Sequence, residues 1–274
     1  MKIGIMSDSL LLPLHESLKK AANLGADGVQ IYAVKGQMAP ENLDQWQRKE
    51  LRNYIRDLGI EVSAICGDMG GHAFQVEEEN AYKVERSCRI MDLALDLDCH
   101  VVTTHIGVVP SDPNHPRYEV MQKACRAMGE YGDKVGCKFA IETGPEMSTT
   151  LRGFLDSLGC KSMCVNLDPA NLTMVAGDDA AKAVHNLAPY IVHTHAKDGK
   201  MLKYYDPELI YGGKVPGSEC YLETPLGQGA VNWDEYIQAL RDIGYDGYLT
   251  IERECGDNPA ADIAMAVDFL QRYI

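Results

Sequence analysis

Positive charge is scarce in this 274-residue chain. Lysines and arginines number 26 against 40 aspartates and glutamates, a formal net charge of −14. A strongly negative field repels phosphate backbones and anionic lipid, so no nucleic acid and no membrane surface is expected as a partner. No apolar run approaches the roughly 18 residues that a membrane helix needs. The nine cysteines (Cys66, Cys88, Cys99, Cys125, Cys137, Cys160, Cys164, Cys220 and Cys255) contain no Cys-x-x-Cys pair, which excludes a zinc ribbon and a thioredoxin motif. Their odd number and irregular spacing point to buried, reduced thiols. No glycine-rich loop of Walker or Rossmann spacing occurs, so no nucleotide cofactor is expected. The first residues, MKIGIMSDS, lack the cationic stretch and long apolar run of a signal peptide, so a cytoplasmic location is expected.

What the chain does have is alternation. Short apolar runs at 2–7, 28–33, 61–66, 100–105, 138–142, 162–168, 190–195 and 248–252 read as strands. Amphipathic segments at 14–24, 43–58, 82–97, 118–135, 150–158, 179–187, 233–243 and 260–273 read as helices. Glycines stop several of them, at Gly25, Gly59, Gly136, Gly159 and Gly244. Eight strand–helix units imply a parallel sheet with helices outside it. Units filling the chain from end to end favour one closed (β/α)8 TIM barrel, a single α/β domain over residues 1–274, at a length typical of that fold. One long excursion, residues 199–230, carries Tyr204, Tyr205, Tyr211, Gly212, Gly213 and the run Thr224-Pro225-Leu226-Gly227-Gln228-Gly229. In a barrel it lies on the catalytic face, where a lid would sit.

Barrel enzymes place reactive groups at the C-terminal ends of their strands. The fifth strand ends at Glu142 (FAIET), the sixth at Asp168 (CVNLDPAN), the seventh at His195 (IVHTHAKD) and the eighth at Glu252 (YLTIERE). Four consecutive strands thus deliver three carboxylates and one imidazole to one quadrant. Carboxylates held so close repel one another, and a divalent cation removes the conflict. The donor set suits Mn²⁺, Mg²⁺ or Co²⁺ at least as well as Zn²⁺. His193 and His195 are expected on opposite sides of their strand, with His195, nearer the C-terminal end, as the ligand and His193 as a core or interlayer histidine.

These residues, with Asp168-Pro169-Ala170-Asn171, His195-Ala196-Lys197-Asp198, Pro225-Leu226-Gly227-Gln228-Gly229 and Ile251-Glu252-Arg253-Glu254, resemble the sugar phosphate isomerase/epimerase group of the xylose isomerase-like barrels. The resemblance spans the chain and is strongest from Glu142 onward. It implies one divalent ion, most often Mn²⁺, on Glu142, Asp168, His195 and Glu252. It also implies that Glu142 and Glu252 form an acid/base pair on opposite faces of a sugar. Two positions depart from the ketose 3-epimerases of the group. Asn171 replaces a histidine and Met201 replaces an arginine, both of which touch the ketose there. Endonuclease IV, a relative with three zinc ions, needs further histidines and a basic DNA surface that this acidic chain lacks.

Other candidates for substrate contact are His105 at the end of the fourth strand, Lys197 on the face of His195, Asn171, and Asp68 with His72 in the loop GDMGGH. Tyr32 reads as pocket wall. Arg253 is expected to point outward to a salt bridge, and Glu254 to return inward behind the ligands. The expected reaction is isomerisation or epimerisation of a keto sugar or related polyol derivative, begun by proton abstraction next to a carbonyl. A lyase or dehydratase acting on a keto sugar, keto-inositol or 3-keto glycoside shares that first step. A non-catalytic sugar-binding subunit is the alternative from outside enzymology. The sequence leaves the oligomeric state open between a monomer and a homo-oligomer, although barrels of this group often pair.

Overall fold

The computed structural model of the chain describes every residue except 212, 213 and 216. Gly212 and Gly213 of the expected lid therefore lie outside the described residues. Eight parallel strands close into a barrel in the order β1-β10-β7-β6-β5-β4-β3-β2. They are β1 (Lys2–Met6), β2 (Gly28–Tyr32), β3 (Glu61–Cys66), β4 (Val101–Thr104), β5 (Lys138–Glu142), β6 (Met163–Leu167), β7 (Ile191–Ala196) and β10 (Tyr248–Ile251). The long helices that follow them are α1 (Leu14–Asn23), α2 (Gln45–Asp57), α3 (Glu77–Asp96), α4 (Pro116–Val135), α5 (Ser148–Asp156), α7 (Ala180–Leu187), α9 (Trp233–Asp242) and α10 (Pro259–Leu270). A single turn, α6 (Pro169–Asn171), runs into a π turn at Leu172–Ala176 directly after β6. The fold expectation is correct, and the barrel is closed by β1 pairing with β10.

Local chemistry explains most boundaries. Asp44 caps α2 with a reciprocal capping box to Gln47. Gly136 ends α4 in the left-handed region (φ 80°), where a side chain would be strained. Helix α3 begins at Glu77, five residues before the expected start at Tyr82. Glu77, Glu78 and Glu79 fill its first turn and complement the positive end of the helix, a signal independent of apolar periodicity. Tyr82 itself is 63% exposed.

The excursion after β7 is more ordered than a loop. Strands β8 (Asp198–Met201) and β9 (Tyr221–Thr224) pair antiparallel, with a short α8 (Pro207–Tyr211) between them. Asp198 pins its root. Its buried carboxylate accepts from the backbone N–H groups of Gly227 (2.9 Å), Gly229 (3.1 Å) and Val231 (3.2 Å) and from the Trp233 indole (3.0 Å). Gly229 must be glycine, because a Cβ there would sit 1.9 Å from Asp198 Oδ1. No helix among the described residues is long and apolar enough to cross a membrane. Six of the nine cysteines are buried.

The barrel interior beneath the mouth is polar. Gln30 donates to Thr103 Oγ1 (3.0 Å), and His193 bridges Asn166 Oδ1 (2.8 Å) and Thr250 Oγ1 (2.9 Å). Each of these groups is almost fully buried, so each needs the partner it has. This layer is the floor on which the site rests.

Candidate metal centre

Glu142 is the last residue of β5, Asp168 follows β6, His195 lies one residue before the end of β7, and Glu252 follows β10. Parallel strands in neighbouring register bring the four side chains together. Each offers one ligand atom, and these atoms lie within 4.8 Å of one another. His195 Nδ1 is 3.3 Å from Glu252 Oε2, 3.4 Å from Glu142 Oε1 and 3.6 Å from Asp168 Oδ2.

The hydrogen bonds around the cluster orient it. Asp168 Oδ1 accepts from the Ala170 (2.8 Å) and Asn171 (2.9 Å) amides as the cap of α6, which turns Oδ2 inward. Asn171 Nδ2 donates to Glu142 Oε1 (3.1 Å). His195 Nε2 faces Gln30 Oε1 (3.0 Å) and Asn166 Nδ2 (3.1 Å). Donation of the Nε2 proton to Gln30 leaves the Nδ1 lone pair aimed at the three carboxylates. Asp168 Oδ2 and His195 Nδ1 are buried without a hydrogen-bond partner. Two convergent orphan atoms of this kind are costly unless a ligand satisfies them. The donor set therefore fits a divalent cation.

Electrostatics agree. Burial opposes charge on His195, but the negative charge of the nearby Glu252, Glu142 and Asp168 carboxylates outweighs it and holds its pKa well above the usual histidine value. A proton there stands in for a cation. Burial likewise opposes the Lys197 ammonium, and Glu252, Asp168 and Glu254 outweigh it, raising its pKa. Glu252 is held well below the usual carboxylate range. Its burial is outweighed by Lys197, whose Nζ donates to Glu252 Oε2 at 3.0 Å, and by His195.

A family description, the xylose isomerase-like TIM barrel, matches residues 18–273. The chain belongs to the xylose isomerase-like TIM barrel family. Among its relatives is a probable ketose 3-epimerase of Synechocystis, 23% identical over 246 residues, with 85% of this chain and 75% of that protein covered. Another is the 3-dehydroshikimate dehydratase of Bacillus anthracis, 23% identical, with 88% and 86% covered. The crystal structure of a xylose isomerase domain protein from Planctomyces limnophilus is similar with a TM-score of 0.80 at 25% identity, covering 99% of this chain and 96% of that one.

A cavity of about 500 Å³ lies over the cluster of this xylose isomerase-like barrel. Of the candidates for substrate contact, His105, Lys197, Asn171 and Asp68 line it. His105 Nε2 lies 3.7 Å from Glu142 Oε1. Burial lowers the His105 pKa, but Glu142, Asp68 and Glu252 more than compensate and raise it. His72 is not among the lining residues. The left-handed residues Gly70, Gly71 and Ala73 on either side of it turn its loop, leaving the ring largely exposed and paired with Glu79 (3.1 Å). Met201 lies at the end of β8 and also does not line the cavity.

His193 and His195 require a correction. Residues two apart on a strand share a face, so the expectation of opposite sides was wrong. Both rings are buried inside the barrel, with centroids 5.8 Å apart. His193 is the interlayer histidine beneath His195. Burial, then the neighbouring His195 charge, hold its pKa well below the usual histidine value. Arg253 does form salt bridges, to Glu223 and to Asp262 (2.9 Å), but it is buried rather than outward. Glu254 bonds Lys197 beside Glu252 and lines the cavity, but its side chain is largely exposed rather than turned inward. Gln30 and Asn166 were missed. Their signal was a lone amide inside an otherwise apolar strand, GVQIY and MCVNL.

Proposed function

We propose that this chain is a divalent-metal-dependent sugar isomerase or epimerase, acting by proton abstraction next to the carbonyl of a keto sugar or related polyol derivative. One observation carries the reading: four ligand atoms converge within 4.8 Å, and two of them, Asp168 Oδ2 and His195 Nδ1, are buried with no partner. Glu142, Asp168, His195 and Glu252 would hold the ion, with Mn²⁺ expected and Mg²⁺, Co²⁺ or Zn²⁺ as substitutes. Bound there, a divalent ion polarises a carbonyl oxygen and acidifies the adjoining C–H.

The protein's own residues do the rest. Asp168 and His195 are oriented by backbone amides and by Gln30, and serve as fixed ligands. Glu142 and Glu252 rise from β5 and β10, which β6 and β7 separate around the barrel. One carboxylate can take a proton from one face of a bound sugar while the other returns it from the opposite face. Lys197 beside Glu252 supplies positive charge where negative charge gathers on a substrate oxygen. His105, Asn171 and Asp68 line the same cavity and present donors and acceptors to the sugar hydroxyls.

The test is a panel of keto sugars incubated in D₂O with Mn-loaded protein. One deuterium at the carbon beside the carbonyl, with every substituent retained, supports the reading. Absence of both exchange and turnover across the panel, with the metal bound, overturns it. The similarity to a dehydratase supports a second reading, a lyase that shares the first proton transfer. Loss of a hydroxyl or other β-substituent from the product identifies that chemistry.

A further inference from the structure

Strand β10 ends at Ile251, so Glu252 stands one residue beyond it. The Glu252 amide still donates to the Ala196 carbonyl (3.2 Å). The next two amides are held by side chains. That of Arg253 donates to Ser9 Oγ (3.2 Å), and that of Glu254 donates to Glu223 Oε1 (3.1 Å). The same Glu223 oxygen accepts from Arg253 Nη1, while Arg253 Nε donates to Asp262 Oδ2 (2.9 Å). One carboxylate thus grips the side chain of Arg253 and the backbone of Glu254, the two residues that follow Glu252.

The niche around this pair is closely built. The side chains of Arg253 and Glu223 are only 9% and 6% exposed. Gly256 takes a left-handed backbone (φ 104°), and a Cβ on it would lie 2.6 Å from Arg253 Nη2 and 2.9 Å from Asp262 Oδ2. The turn after Glu254 therefore keeps room for the guanidinium. Burying two charges carries a desolvation cost that apolar residues of similar volume would avoid, so stability alone is a poor account of the pair. What a charge-assisted bridge supplies is direction, since its bonds have a defined geometry.

Glu223 belongs to β9, where it pairs opposite Gly199 of β8. Lys197, the residue before β8, donates to Glu252 Oε2 (3.0 Å). The hairpin therefore reaches Glu252 from both of its strands, at its carboxylate through Lys197 and at the two following residues through Glu223. We infer that Glu223 is a positioning residue for Glu252: by bridging to Arg253 and the Glu254 amide it holds Glu252 in the cluster, so that closure of the β8–β9 hairpin and binding of the ion are linked. The inference rests on the metal site of the proposed function and not on its reaction or its sugar. A carboxylate already held in place has less freedom to lose when an ion arrives, which favours binding. Linkage is reciprocal, so an ion that prefers the closed hairpin by some factor lowers the open population by the same factor.

Two measurements on the full chain test it, and neither needs turnover. The first is Mn²⁺ affinity, by competition with a chelator, for the wild type, Glu223→Gln, Arg253→Met and the double variant. Each single change is expected to weaken the ion about tenfold, and the double variant about as much as either alone, because both break one bridge. At matched occupancy the Mn²⁺ electron paramagnetic resonance spectrum of Glu223→Gln should depart from the wild type in the direction of Glu252→Gln. Unchanged affinity in Glu223→Gln, fully additive losses, or a weakened site that keeps the wild-type spectrum overturns the inference. The second measurement uses the wild type alone and so does not depend on how the variants fold. Saturating Mn²⁺ should slow trypsin cleavage after Lys203 and Lys214, both within the excursion, by about tenfold. Equal cleavage with and without Mn²⁺ overturns the link. Wild-type protein that takes up none of Mn²⁺, Mg²⁺, Co²⁺ and Zn²⁺ overturns the proposed function and this inference together, whereas tight binding indifferent to Glu223 overturns the inference alone.

Discussion

The Nε2 of His195 lies 3.0 Å from Oε1 of Gln30, a residue 165 positions earlier in the chain, and this contact decides which ring nitrogen faces the carboxylates. Gln30 is in turn fixed by Thr103, so the imidazole is held from behind by a buried, satisfied amide. Gln30→Met removes the acceptor without emptying the space. Metal affinity is expected to fall roughly 10- to 100-fold, the usual effect of losing such a partner. A competition titration against a chelator measures it, and an unchanged affinity would show that Gln30 does not set the tautomer.

Metal removal should destabilise the protein. Asp168 Oδ2 and His195 Nδ1 have no hydrogen-bond partner in the protein, and a bound ion would satisfy both. Mn²⁺ at 100 times its dissociation constant is expected to add about 2.7 kcal/mol to the unfolding free energy. Thermal melts with and without EDTA check this, and identical curves count against the site.

Glu142→Gln and Glu252→Gln should each lower turnover by a factor on the order of 10²–10⁴, the range for loss of a positioned acid or base. The comparison is made at saturating Mn²⁺, with bound metal measured, so that lost chemistry is separated from lost ligation. Near-normal rates in either amide variant would remove that residue from the acid/base pair.

Glu146 provides a pH signature away from the metal. Burial pushes its carboxyl from an ordinary 4.5 up to about 8, against a hydrogen bond from the Val109 amide (3.2 Å). The folded state thus holds a proton that the unfolded chain has released. The associated stability is fully present below about 4.5 and is lost as pH rises to about 8. The unfolding free energy of the wild type, measured in urea, should therefore fall between pH 5 and 8 by up to ~1.4 kcal/mol per pH unit from this group. Glu146→Gln keeps the acceptor and removes the titration, so its curve should be flatter. Parallel curves would show that Glu146 does not titrate in this window.

Asp198→Asn should loosen the hairpin that roofs the site. Its carboxylate accepts four hydrogen bonds across the root of the excursion, and an amide cannot accept on its nitrogen side. A loss on the order of 2–4 kcal/mol in urea unfolding is expected. A change under about 0.5 kcal/mol would mean that the β8–β9 hairpin is anchored elsewhere.

The strand–helix rhythm was legible because each strand is a short apolar run, buried by the barrel, and each helix carries one apolar face. Those are local patterns with fixed periods. The candidate ligands were legible for the same reason: Glu142, Asp168, His195 and Glu252 each sit where an apolar strand gives way to a polar residue. Parallel strands put equivalent ends at one mouth, so strand position alone grouped the four. The early start of α3 was less visible, since three glutamates rather than apolar spacing define its first turn.

Long-range contacts were decided only in three dimensions. No local pattern joins Gln30 to His195, or ties Asp198 to Gly227, Gly229, Val231 and Trp233, because the barrel's closure and not sequence proximity creates those distances. His72 left the cavity and the β8–β9 pairing appeared for the same reason: loop direction depends on individual left-handed residues and on partners far along the chain. The sequence by itself determined the barrel and the four candidate ligands, through periodicity and strand ends. The tertiary structure alone decided how those ligands are aimed, through buried polar contacts that form only once the barrel has closed.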